Sequence, residues 1–113
     1  MHEMALMEEV RGIVLRAAEA HHFQRVLRVV LEIGQLSGVQ PEAMSFCFDV
    51  VMADSPAAGA ILEIEEITGR AWCPACAAEV AIASRLDPCP HCGGLPGRVI
   101  QGTEMRVKDL EVE

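Results

Sequence analysis

The sequence predicts an α+β fold: two helices packed on a small three-stranded sheet, with an inserted lobe stapled by four cysteines. Three observations predict it. Residues 4–68 alternate helix-period and strand-period apolar patterns twice over. A stretch dense in Cys, Pro and Gly, from Trp72 to Gly97, then interrupts them. Beyond it, strand-like alternation resumes and reaches Val112.

From Met4 to about His22, Leu6, Met7, Val10, Ile13, Val14, Ala17 and Ala18 recur at three- and four-residue steps, with Glu8, Glu9, Arg11, Arg16 and Glu19 largely between them. This is an amphipathic helix with one buried face. Arg25–Ile33 is rich in β-branched residues and alternates: Leu27, Val29, Leu31 and Ile33 share one side, Arg28 and Glu32 the other. The loop G-Q-L-S-G-V-Q-P follows, with Pro41 suited to the first position of a second helix. That helix, about Pro41 to Ala53, gathers Met44, Cys47, Phe48 and Val51 on one face before D-S-P-A-A-G breaks it. A second strand, Ala60 to about Thr68, has acids (Glu63, Glu65) opposite Leu62 and Ile64. The closing segment, Arg98 to Val112, reads as one strand. Val99, Gln101, Thr103, Met105 and Val107 keep one phase while Leu110 and Val112 take the other, so a bulge is expected near Lys108–Asp109. The expected organisation is an α+β domain of residues 1–69 and 98–113 with a lobe of residues 70–97.

About half of the 113 residues are apolar, but there are only three Phe, one Trp and no Tyr, so the core must be aliphatic. Seventeen acids against nine Lys and Arg leave a net charge of −8. That balance argues against nucleic acid as a partner, because phosphate affinity comes from basic residues. No apolar run approaches the ~20 residues that cross a bilayer, and Glu3, Glu8 and Glu9 are unlike a leader peptide. A cytoplasmic location is expected, with thiols reduced and five cysteines better suited to metal or core than to disulfides.

C-P-A-C at 73–76 and C-P-H-C at 89–92 are separated by 12 residues. Each C-x-x-C turn aims two sulfurs at one point, and two turns face to face make the closed tetrahedral cage of structural zinc. Cys73, Cys76, Cys89 and Cys92 are thus expected to bind Zn(II) in a zinc-ribbon-like lobe whose folding depends on the metal. Redox disulfides and a rubredoxin-like iron site are the competing readings. His91 is either a surface residue or a group able to approach the metal. Cys47 is expected in the core, and His21 and His22 at a helix C-terminus. No Ser–His–Asp set, H-E-x-x-H helix or P-loop is present, so the chain is not expected to be an enzyme.

The chain opens M-H-E. The α-amine of Met1, the amide nitrogen of His2 and its imidazole Nδ1 can close five- and six-membered chelate rings on one ion, and Glu3 can add an amide or carboxylate. Such nitrogen-rich surroundings suit Ni(II) or Cu(II). Any chain beginning M-H carries the same atoms, so a solvated chain end is the competing reading.

M-H-E at 1–3, I-G-Q-L-S-G-V-Q-P-E at 33–42, the paired C-P-x-C knuckles and Q-G-T-E-M-R at 101–106 together resemble the HypA/HybF family of hydrogenase nickel-insertion accessory proteins. The resemblance covers essentially the full chain. It implies a metallochaperone in which His2 is the essential Ni(II) ligand, with Met1 and Glu3 beside it, and Cys73, Cys76, Cys89 and Cys92 hold structural Zn(II). It also implies a partner nickel-insertion GTPase (HypB-like) and delivery to a [NiFe] hydrogenase large-subunit precursor; in some organisms the family also serves urease maturation. Some relatives carry an acid before the second helix that adds to the nickel site. This chain has Gln40 there, a poorer ligand that the expected set omits. The alternative functions are a zinc-ribbon protein-interaction adaptor without nickel transfer and a rubredoxin-like electron carrier.

Overall fold

Periodicity becomes burial in the first helix. In the computed structural model, which describes residues 2–113, α1 spans Glu3–His21 and buries Met7, Val10 and Val14 completely. Met1 lies outside the described residues. His22 ends the helix in a left-handed conformation, φ 59°, and the chain reverses into β1, Val26–Gly34. Pro41 opens α2, Pro41–Met52, which buries Met44, Cys47, Phe48, Val51 and Met52. After it, β2 (Ile61–Ile67) lies parallel to β1, the pairing that a helical crossover permits.

On the other side of β1 runs β6, Met105–Val112, antiparallel, so the sheet order is β2-β1-β6. Val30 faces Asp109 and Leu31 faces Val107, leaving Lys108 as an extra residue. The bulge therefore sits where the phase change in the sequence predicted it. It lets Met105, Val107 and Leu110 all pack against the core.

Both helices contribute to one core, joining Val29, Leu31 and Ile33 of β1 to the buried stripes of α1 and α2. Charge occupies other sheet positions. Arg28 bridges Glu63 (2.9 Å) and Glu111 (3.2 Å), Lys108 meets Glu65 and Arg106 meets Glu32 (both 2.7 Å). These partly exposed pairs join all three strands but individually stabilise little. Among the described residues, no helix is long and apolar enough to cross a membrane.

The expected continuous strand from Arg98 to Val112 is corrected by the structure. Val99–Gln101 forms its own strand, β5, in a second sheet with β3 (Arg70–Cys73) and β4 (Ala78–Ala81), in the order β4-β3-β5. Gly102, at φ +106°, separates it from β6. Alternation runs from Val99 to Val107 across the break between the two strands, because it reports which side a residue faces and not which sheet it joins. The second sheet carries a small core of Leu36, Ala71, Cys73, Val80, Ile82 and Cys89.

Gly34, Gly69 and Gly102 stack where the two sheets meet. A β-carbon on Gly34 would lie 2.0 Å from the Gly102 carbonyl oxygen, and one on Gly102 would lie 2.6 Å from the Gly69 Cα. The three glycine backbones approach closely here, with the Leu36 side chain against Gly69 and the Gln35 side chain accepting its N–H. The molecule is long, 52 × 24 × 17 Å, with a radius of gyration of 17.1 Å; a compact chain of this size would have about 13 Å.

Candidate metal centres

The first knuckle follows β3 directly, since Cys73 is that strand's last residue. The second is closed by the Cys89 N–H donating to the Gly94 carbonyl (2.7 Å) and the Gly93 N–H to the Cys89 carbonyl (2.9 Å). The residue after each second cysteine is left-handed: Gly93 at φ 75° and Ala77 at φ 50°. Alanine makes that turn without glycine's freedom, at a cost of about 1–2 kcal/mol.

All four cysteine sulfurs lie within 4.8 Å of one another. Cys73 and Cys92 Sγ are 3.6 Å apart, and Cys76 and Cys89 Sγ 3.9 Å. A regular tetrahedron with Zn–S near 2.3 Å places its sulfurs about 3.8 Å apart, so the cluster fits a tetrahedral thiophilic ion. Backbone amides are aimed at the sulfurs: His91 N–H at Cys89 Sγ and Gly94 N–H at Cys92 Sγ, both 3.4 Å. The amides of Cys92 and His91 pull the Cys89 thiol down to about 6, while the adjacent Cys92 and Cys73 sulfurs push Cys76 up to about 12. Without a cation the site thus favours one thiolate and resists others; a divalent ion able to take all four removes that conflict. Among the described residues this is the one group of three or more His, Cys, Asp or Glu arranged to hold an ion, and the His91 ring is not in it.

At the other site, His2 is exposed and precedes α1. Its carbonyl accepts the Leu6 N–H (3.1 Å), but its side chain makes no capping hydrogen bond. Ser, Thr, Asp or Asn at this position would typically stabilise a helix by about 1 kcal/mol. Histidine forgoes that contribution, and among the described residues its imidazole has no hydrogen-bond partner. The Glu3 carboxylate accepts the backbone N–H of Gln40 (3.1 Å), and this bond is the main cause lowering its pKa. The start of α1 is thereby tied to the N-cap of α2. Position 40 does lie beside the terminus, by its backbone.

The sequence predicts a connecting loop over residues 34–40, and the structure gives it more to do. The Gln35 side chain accepts the Gly69 N–H (2.9 Å), and the Leu36 N–H donates to the Gly102 carbonyl (2.7 Å). Leu36 is buried in the lobe's core, Val39 in the main core, and Gln40 reaches Glu3. One short segment therefore touches both cores and the terminal residues. The only signal for it was the I-G-Q-L-S-G motif itself. Cys47 is buried in the core, and His21 and His22 are exposed at the end of α1, as expected.

A family model described as "Hydrogenase/urease nickel incorporation, metallochaperone, hypA" matches residues 1–112. A hydrogenase maturation factor HypA from Albidiferax ferrireducens is 58% identical over the whole of both chains. One from Paracoccus denitrificans is 54% identical over 99% of each. The solution structure of the Ni metallochaperone HypA from Helicobacter pylori shares the fold, with a TM-score of 0.68 at 24% identity over 99% of this chain and 97% of that one. The chain therefore belongs to the HypA family, the metallochaperones of nickel incorporation.

Proposed function

We propose that this chain binds Ni(II) at its N-terminus and, with a HypB-like GTPase, delivers it to a [NiFe] hydrogenase large-subunit precursor in the cytoplasm. Cys73, Cys76, Cys89 and Cys92 hold Zn(II), which folds the lobe and takes no part in chemistry. A role in urease maturation belongs to the same reading. The chain acts as a carrier and not as a catalyst. The division of labour is part of the proposal: residues 1–69 and 98–113 carry nickel, residues 70–97 carry zinc, and β5 stitches the returning chain to the lobe.

The observation that carries this reading is the exposed, uncapping His2 at the head of α1, in a chain matched end to end by the nickel-metallochaperone family. The amide nitrogens at a helix start have no intrahelical partner. Those of His2 and Glu3 can become ligands, with the amine of Met1 and the His2 Nδ1, without breaking a hydrogen bond of the helix. Because the Glu3 carboxylate already holds Gln40, Glu3 contributes its amide nitrogen and its side chain positions the terminus. An exposed site of few ligands suits a cargo that must be released.

The test is nickel titration of untagged protein of known metal content, wild type against His2→Ala. Loss of nickel uptake with the metal of the four-cysteine site retained is expected, and unchanged uptake refutes the reading. A residue added ahead of Met1 should weaken binding with His2 intact.

A further inference from the structure

The helix layer carries a second apolar stripe that folding does not use. Opposite the buried face of α2, Glu42, Ser45, Phe46, Asp49, Val50 and Ala53 are exposed at the three- and four-residue spacing of one helix side. At its centre Phe46 is 81% and Val50 65% exposed. Across a shallow groove, α1 contributes Met4, Glu8 and Arg11. Neither Phe46, Val50 nor Met4 belongs to the core. Phe and Val are also poorer helix formers than the Ala, Lys or Glu that a solvated face would favour. One exposed apolar side chain is ordinary; three on adjoining turns of two packed helices form a patch.

The rim says what covers it. Glu42, Asp49 and Glu8 surround the patch and, among the described residues, none is in an ion pair. Arg11 is occupied by the Val51 carbonyl and the Asp54 carboxylate. A second copy docking through the same face would set these acids against themselves on a chain of net charge −8, and like charges across an interface are costly. A basic rim satisfies them. The patch also begins at Met4, two residues from His2, or about 3 Å along the helix axis.

We propose that the Phe46–Val50 stripe of α2, with Met4 of α1, is a docking surface for a partner protein presenting an apolar segment flanked by Lys and Arg. The occupant seats helix-in-groove, its apolar side chains on Phe46 and Val50 and its cations on Glu42, Asp49 and Glu8. The surface is argued from these side chains and not from the identity of the metal.

The probe is a synthetic amphipathic helix of leucine and lysine about five turns long, titrated into isotope-labelled, metal-loaded protein. Amide shifts should gather on residues 4–11 and 42–53. Phe46→Ser with Val50→Ser should weaken binding about tenfold or more, as loss of an interface centre does. Glu42→Lys with Asp49→Lys should weaken it too and flatten its salt dependence, and a leucine–glutamate peptide should not bind. Both pairs of positions are exposed, so circular dichroism should be unchanged. Shifts centred on Glu63, Glu65 and Glu111 of the sheet, or affinity indifferent to the Phe46/Val50 change, overturn the proposal. So does concentration-dependent dimerisation abolished by Phe46→Ser. Nickel uptake should be equal in all variants, so either reading can fail alone.

Discussion

Gly34→Ala tests the joint between the two sheets most directly. Ordinary propensity favours this change, since Ala in a strand costs less conformational entropy than Gly. The structure reverses the sign. The new methyl carbon would stand 2.0 Å from the Gly102 oxygen, 2.2 Å from its carbonyl carbon and 2.8 Å from its Cα. Carbon–oxygen contacts settle near about 3.3 Å, so backbone must retreat by about 1.3 Å, and no rotamer can absorb it. The displaced carbonyl is the acceptor of the Leu36 N–H, and the Gly34 N–H itself donates to the Glu104 carbonyl, both at 2.7 Å. Overpacking costs about 1–3 kcal/mol, and stranding a buried donor adds about 1–3 kcal/mol. A loss of about 3 kcal/mol is expected, a large share of the ~5–15 kcal/mol that holds a domain together. Thermal unfolding of metal-loaded protein should drop by roughly 10 °C, and the Leu36 amide should lose protection from hydrogen exchange. A midpoint within about 2 °C of wild type, with the Leu36 amide still protected, refutes the steric argument.

Gly12→Ala should act in the opposite direction. A β-carbon there meets only the mobile end of Arg16, at 3.1 Å, so a gain of up to about 1 kcal/mol in helix propensity should appear as a higher urea midpoint. The Glu3 carboxyl, lowered from its ordinary 4.5 by the Gln40 N–H, contributes its tether fully above that value and loses it as pH falls through the lowered pKa. The Gln40 amide resonance should therefore titrate with a midpoint below 4.5, and should not titrate in Glu3→Gln; a midpoint at or above the ordinary value contradicts the tether. Stripping the metal from the four-cysteine site with a chelator should disorder β3–β5 while α1 and α2 persist. Trp72, the single tryptophan and the neighbour of Cys73, should report this by fluorescence while helical circular dichroism changes little.

Much of the site was readable because its chemistry is local. A C-x-x-C turn brings its two sulfurs together through its own backbone, and two turns of equal spacing announce one ion. The chelate proposed at His2 and Glu3 would likewise need no tertiary contact, since the two are adjacent along the chain. The helices were readable for the same reason: Met7, Val10 and Val14, or Met44, Cys47, Phe48 and Val51, are positioned by one helical period. Even the Lys108 bulge left a trace, because an extra residue shifts every later side chain to the other face.

Residue order thus decided the two helices, the first two strands, the sulfur cage, the aliphatic core and the membership of a metallochaperone family. Folding alone decided what is shared between distant segments. Val99–Gln101 joined the lobe's sheet because its hydrogen-bond partners are Arg70 and Ala71, and strand alternation carries no information about partners. The Glu3–Gln40 tether, the three-glycine joint and the Phe46–Val50–Met4 patch each bring together backbone or side chains from separate elements. Periodicity is a property of one element; contact depends on where another element has been placed.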